Sequence, residues 1–401
     1  MKASPQIIVA GHICLDIIPD LSAVAGGLGA ILVPGKLVNI GPAVVSTGGP
    51  VSNTGLALHR LGLNVSLMGK VGDDIIGRTV LEVVRGHGAG LAEGMIVARG
   101  EHTSYSVVMS PPGVDRIFLH CTGANDTFCT EDIDYAALAS ARLFHFGYPP
   151  LMRRMYEDGG VQLAALLARA KAAGPTISLD MAFVDPASPA GRADWPGILA
   201  KALPHVDVFV PSLDETLFML DRARFARLQE AAGTENVLSH VNGRLLAELS
   251  DRLLSIGPAI IMLKLGDQGT YLRTTGDPQR LAAAGPCGPC DMKNWLGREL
   301  LAPCFSVEVV GTTGSGDCTI AGFLTALLHG LSAEGAMTAA VGVGACNVEA
   351  ADATSGIPHW DRVQARIAAG WKRRPVRLEL PGWRHDAQSG LYLGPNDKSR
   401  S

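Results

Sequence analysis

The chain has 401 residues, 47% of them apolar, with 38 acidic against 34 basic side chains and a formal net charge of −4. That balance argues against a polyanion-binding surface of the kind nucleic acid requires, and no uninterrupted apolar run reaches the roughly 18 residues that cross a bilayer. The length suits one large domain or two smaller ones. The opening Met1-Lys2-Ala3-Ser4-Pro5-Gln6 lacks a signal-peptide h-region, because the apolar run at 7–9 is too short. We therefore expect the eight cysteines to be reduced thiols of a cytoplasmic protein.

Ile7-Ile8-Val9-Ala10 reads as a buried strand, followed by Gly11-His12-Ile13-Cys14-Leu15-Asp16. Sheets of α/β proteins place ligand contacts at strand ends, so Asp16 is a candidate binding residue; its alternative is a solvated turn. Residues 17–47 alternate Gly/Pro turns with β-branched runs, Ala30-Ile31-Leu32-Val33 and Ala43-Val44-Val45, which predict short strands outside the main layers. Gly48 and Gly49 let backbone approach a ligand closely, since no Cβ intervenes. Asn53 offers an amide donor and a carbonyl acceptor to vicinal hydroxyls, or caps the helix that begins at Ser52. A strand over 65–70 leads into a helix opened by Asp73 and Asp74, acidic residues that favour an N-terminus. Residues 103–109 and 116–120 are strand-like around a turn at Pro111-Pro112-Gly113.

From Leu143 the chain alternates strand and helix: strands at 143–146, 176–180 and 206–210, with a helix over 161–173 between the first two. This predicts a parallel sheet covered on both faces. His145 lies inside one strand and reads as a core histidine, and Asp180 ends another. Glu215 follows a strand as a first-turn helix carboxylate. Residues 222–255 look helical and charged, a surface elaboration. A strand at 259–263 runs into Lys264-Leu265-Gly266-Asp267-Gln268-Gly269. The stretch 273–303 has little readable period and holds Cys287 and Cys290; with Cys304 these make a weak zinc signal, because structural zinc takes four ligands, and we expect free thiols.

Val310-Gly311-Thr312-Thr313-Gly314-Ser315-Gly316-Asp317 sits between a strand-like run, 305–310, and a helix-like run, 320–328. Bare N–H groups at a helix N-terminus bind anions. Asp317 beside them would repel phosphate but can take a proton from a hydroxyl that attacks phosphate. Anion cradle plus adjacent base is the minimum apparatus for phosphoryl transfer to an alcohol. A capped helix with a tight turn is the alternative reading. The stretch is not a P-loop, having no Lys after its glycines, and its glycines miss the dinucleotide spacing.

This stretch resembles the C-terminal signature of the ribokinase-like (PfkB) carbohydrate kinases, Asp-Thr-x-Gly-Ala/Ser-Gly-Asp, at Thr312, Gly314, Ser315, Gly316 and Asp317. It departs at Gly311, where the family usually has Asp. Gly48-Gly49-Pro50-Val51-Ser52-Asn53-Thr54-Gly55-Leu56-Ala57, closing with Leu61-Gly62, resembles the family's other signature, and the likeness covers about residues 6 to 360. It implies a three-layer ribokinase-like α/β fold, mainly parallel, with a small β lid built from about 12–50 and 100–122. The kinase domain would span 1–373, with 374–401 a C-terminal surface extension.

The resemblance further implies an ATP- and Mg²⁺-dependent sugar kinase. Asp317 would be the base, with Gly314, Ser315 and Gly316 as the anion hole. Asp16, Gly48, Gly49 and Asn53 would hold the sugar, and Thr313, Lys264, Gly266 and Gly269 the nucleotide phosphates. Asn347 would wall the adenine, and Glu215, in a family Asn-x-x-Glu motif with Ser212 in place of Asn, would organise Mg²⁺. In some members the Asp at position 311 helps hold an activating monovalent cation, which Gly311 does not supply. Nucleoside kinase, sugar-phosphate kinase and catalytically silent sugar binder share the fold. A nucleoside kinase would show a more aromatic acceptor pocket, which the low aromatic content disfavours; a sugar-phosphate kinase would show Lys or Arg beside the acceptor. Lid strands with exposed edges invite a homodimer.

Overall fold

The computed structural model describes residues 5–24, 27–110, 117–233 and 236–398. The expected turn at Pro111-Pro112-Gly113, the strand start at Arg116 and the opening residues 1–4 lie outside them. Ile7–Gly11 shows why a sheet forms at the centre. Ile7 and Val9 pack into one apolar cluster and Ile8 and Ala10 into another, so both faces of the strand are buried. A strand covered on both faces must read as a continuous apolar run, and parallel sheets are built from such strands.

Among the described residues ten strands make this sheet. Their spatial order is Arg384–Asp386, Leu391–Leu393, Glu299–Ala302, Thr270–Thr274, Ile260–Lys264, Val208–Phe209, Thr176–Leu179, Leu143–Gly147, Ile7–Gly11 and Val65–Met68. From Ile260–Lys264 to Val65–Met68 the neighbours are parallel; from Thr270–Thr274 outward they are antiparallel. Helices Pro50–Arg60, Ser315–Leu328 and Ala333–Val348 pack on one face. Val161–Ala173, Trp195–Ala202, Leu213–Leu220 and Gly243–Ile256 pack on the other. This is the expected three-layer architecture.

A separate four-stranded sheet, ordered Ala43–Gly48, Cys14–Pro19, Tyr105–Met109 and Ile117–Cys121, forms the lid. It leaves the core directly after Ile7–Gly11 and returns through Pro50–Arg60, which places its inner face over the carboxyl ends of the parallel strands. Clefts at that edge are where open α/β sheets bind ligands.

Four expectations are corrected. Residues 305–310 form no strand: Pro303 follows Glu299–Ala302, Phe305 makes one isolated bridge to Arg373, and Val309 and Val310 are exposed. The run 30–33 is not a strand; Gly27–Ile31 is a short helix. The stretch 222–255 is only partly elaboration, because Gly243–Ile256 buries Leu245, Leu246, Leu249 and Leu253 as the crossover into Ile260–Lys264. The stretch expected as a surface extension, 374–401, is not simply that over its described part, 374–398. Leu391–Leu393 pairs with Glu299–Ala302, and Asp397 accepts from buried Arg298 at 3.0 Å.

Leu391 is fully buried against the core. Leu391→Ala is expected to lower the unfolding free energy by about 2–5 kcal/mol, read from denaturant midpoints, where a residue of a surface extension would shift it by only about 0.5 kcal/mol.

Candidate active site

Two cavities meet at the N-terminus of helix Ser315–Leu328. The larger, about 780 Å³, lies under the lid; its lining includes His12, Asp16, Gly49, Asn53, Tyr148 and Asp317. The smaller, about 260 Å³, lies behind the helix terminus; its lining includes Lys264, Gly266, Gly269, Ser315, Gly316 and an apolar wall containing Val307 and Val341. Thr312 borders both, while Thr313 and Gly314 face the larger.

The first turn of the helix is shaped by Gly314, whose φ of 70° is a left-handed conformation that L side chains adopt at a cost. No side chain caps the terminus, so its N–H groups face the seam between the cavities. The N–H of Ser315 donates to the Thr312 carbonyl at 3.3 Å, which leaves most of the anion-binding capacity to its neighbours. Lys264 runs alongside: a Cβ on Gly316 would lie 3.5 Å from its Cδ.

Asp317 is buried, 3% exposed. Its carboxylate accepts from Asn53 Nδ2 at 2.9 Å, from Thr54 Oγ1 at 3.3 Å, and from the Tyr148 hydroxyl at 3.1 Å to each oxygen. Burial pushes its pKa above the ordinary aspartate value, and the Asn53 hydrogen bond, the Lys264 charge and the Tyr148 and Thr54 hydroxyls offset part of that. A buried carboxylate of raised pKa is a competent proton acceptor for a hydroxyl held against it.

The lid-side lining of the larger cavity is assembled by close backbone contact. Gly49 has φ 85°, and a Cβ there would lie 2.5 Å from His12 Nδ1; a Cβ on Gly48 would lie 2.3 Å from Asp16 Oδ2. The glycine pair thus makes room for two polar side chains. Burial raises the Asp16 pKa.

Lys264 donates to Asp180 Oδ1 at 2.6 Å. Burial opposes the Lys264 charge, but the carboxylates of Asp180, Glu215 and Asp317 outweigh it and raise the Lys264 pKa. Lys264 is therefore a fixed cation on the side of the smaller cavity.

Two expected residues stand elsewhere. Asn347 does not line the smaller cavity; its Nδ2 donates to the Ala353 carbonyl at 2.7 Å and braces the loop after the helix. Glu215 lines neither cavity. Its Oε2 accepts from the Ser212 N–H at 2.6 Å in a reciprocal cap. Cys287 donates to the Arg142 carbonyl, whereas Cys304 borders the smaller cavity. Among the described residues no group of three or more His, Cys, Asp or Glu is placed to hold a metal ion.

Sequence reasoning missed Tyr148, His12 and Arg374. Tyr148 sits at the end of strand Leu143–Gly147 before Pro149, and its strand-end position was the available signal. His12 is 2% exposed with both ring nitrogens unpartnered. Arg374, from the stretch read as surface tail, borders the smaller cavity.

Residues 6–360 match the family profile described as pfkB family carbohydrate kinase. The chain is 25% identical over 325 residues to Fructokinase-2 of Oryza sativa subsp. japonica, covering 80% of each protein. It superposes with a TM-score of 0.67 on the ribokinase of Arabidopsis thaliana complexed with ribose and ATP, at 18% identity over 90% of this chain and 98% of that one. The TM-score is 0.65 on the ATP-bound fructokinase of Xylella fastidiosa, at 18% identity over 91% and 99%. At those identities the structural likeness establishes the fold.

Because the Asp317 pKa is raised, the folded state holds that proton more tightly than the unfolded chain. The resulting stabilisation is present at low pH and is lost as pH rises through the folded value. Tyr148→Phe removes a donor to the ionised carboxylate, so the Asp317 pKa is expected to rise further. Carbon-detected NMR titration of the aspartate carboxyls measures this, and an unchanged or lower value would show that the tyrosine does not stabilise the charge.

Proposed function

Since the chain belongs to the pfkB family of carbohydrate kinases, we propose that it transfers the γ-phosphoryl group of ATP to a sugar hydroxyl, with Asp317 as the general base. The observation that carries this reading is the position of Asp317. Its carboxylate faces the larger cavity, and the helix terminus on which it sits separates that cavity from the smaller one. A sugar in the first and a nucleotide in the second would bring hydroxyl and γ-phosphate together at Thr312–Gly316.

In this mechanism Asp16, Gly49 and Asn53 orient the sugar, with Gly48 making room for Asp16. The attacking hydroxyl gives its proton to Asp317. A new O–P bond forms on the γ-phosphorus, the bond to the bridging oxygen breaks, and ADP leaves. The N–H groups around Gly314 and Gly316, with Lys264, stabilise charge on the transferring group. Thr313, Gly266 and Gly269 flank the phosphates, and the apolar wall with Val307 and Val341 takes the base, a role that passes from Asn347. The lid keeps water from the γ-phosphate.

Mg²⁺ would enter with ATP and neutralise phosphate charge. Asp180, whose buried Oδ2 has no partner, would help hold such a cation, whereas Glu215, engaged on the Ser212 N–H, would act only through its charge beside the same lysine. The monovalent-cation carboxylate does not fit. A Cβ on Gly311 would lie 2.9 Å from the carbonyl oxygens of Ala350 and Ala351, so a side chain there requires the loop to move. The lid supports self-association, since its outer strands expose Val44, Val45 and Leu119.

The test is ADP release from Mg·ATP across free sugars, sugar phosphates, sugar acids and nucleosides. Asp317→Asn should reduce kcat about 10²–10⁴-fold, and near-normal turnover with sugar bound would remove Asp317 as the base. Silence across the panel, with a sugar still raising the melting temperature, would favour a binding protein. Replacing sodium by potassium should change the rate little; a large increase would contradict the reading of Gly311.

A further inference from the structure

The larger cavity has two zones. The inner zone, against Asp317, carries Asp16, Asn53 and His12. The outer zone is defined by the more exposed aromatic lining residues, Phe118 from the lid strand Ile117–Cys121, Tyr156 and Phe183. Its volume, about 780 Å³, lies in the upper part of the roughly 300–1,000 Å³ range of pockets that enclose drug-sized ligands. Hydroxyl recognition at the inner zone leaves the outer zone unused.

The outer rings are arranged for contact. Phe183 is held by Phe218 and Phe225, with ring centroids 5.4 and 5.7 Å away, yet remains 44% exposed; Phe118 is 55% exposed. An exposed aromatic ring at a cavity mouth, such as Phe183, is stabilised by a flat apolar partner.

Charge narrows the ligand further. Three carboxylates, Asp16, Asp185 and Asp317, line the cavity, and among the described residues no Lys or Arg does. The imidazoles do not replace them. His12 is buried with both nitrogens unpartnered, and burial with the nearby His120 holds its pKa down at about 3. Partial burial lowers His120 too. Neutral His12 offers one donor and one acceptor, which suits an uncharged polar group. A phosphate or carboxylate on the acceptor would meet like charge with no Lys or Arg among the described lining residues to offset it.

We infer that the acceptor is an uncharged polyhydroxy compound bearing a flat apolar ring, an aryl glycoside or a nucleoside, rather than a free, acidic or phosphorylated sugar. This rests on the kinase reading of the same cavity. The sugar portion occupies the inner zone with a hydroxyl at Asp317, and the ring lies between Phe118 and Phe183.

Calorimetric titration of the full-length protein tests this with matched ribosides and fructosides: free sugar, methyl glycoside, phenyl glycoside and sugar phosphate, with uridine and adenosine added to the ribose series. ADP release from Mg·ATP is followed on the same compounds. In at least one series a ring-bearing member should bind at least about tenfold more tightly than the methyl glycoside. Phe183→Leu and Phe118→Leu, which keep apolar volume, should shrink that ratio several-fold while leaving the methyl glycoside affinity unchanged. Uridine and adenosine against the phenyl riboside tell a base from any ring. If methyl and ring-bearing members bind alike in both series, or a sugar phosphate binds best, the inference is overturned, and ADP release from the other sugars leaves the kinase reading standing. Ring-dependent binding without ADP release overturns the kinase reading instead.

Discussion

One carboxylate ties together three parts of the chain that are distant in sequence. Asp317 stands on the first turn of helix Ser315–Leu328. Asn53 and Thr54 reach it from helix Pro50–Arg60, and Tyr148 from the end of strand Leu143–Gly147. A buried charge is costly unless its hydrogen-bonding capacity is met. Satisfying Asp317 therefore fixes how the two helices and the strand end meet, and that meeting point forms the floor of the larger cavity. The hydrogen bonds that organise the site also offset the rise that burial imposes on the Asp317 pKa.

The second buried charge has a different role. Lys264 ends strand Ile260–Lys264 and meets Asp180 after strand Thr176–Leu179, so the pair bridges two of the parallel strands at their carboxyl edge. Removing either partner would leave the other charge buried without compensation. Positive charge is thereby kept under the helix terminus, beside a smaller cavity whose lining combines an apolar wall with Asp267 and Arg374.

The inner strands were legible because burial on both faces writes itself as unbroken apolar sequence. The Gly/Ser/Asp turn was legible because its chemistry is local. What was not legible depends on contacts between distant residues. Asp180 and Lys264 are 84 positions apart, and neither segment alone reveals the pairing. Leu391–Leu393 is too short to announce itself, and only its docking on Glu299–Ala302 makes it a strand. Overall composition misled in one respect. Aromatic residues are 5% of the chain, yet Phe118, Tyr148, Tyr156 and Phe183 gather at one cavity. Scarcity along the sequence says nothing of density in space.

Tyr148 holds its hydroxyl on Asp317 from a left-handed backbone, φ 63° and ψ 43°. For a bulky side chain that conformation costs on the order of 1–3 kcal/mol, whereas glycine adopts it freely. Position 148 thus sets two selective pressures against each other. Directed evolution rewarding heat resistance alone would drift toward glycine there, relaxing the backbone while stripping the Asp317 carboxylate of a donor.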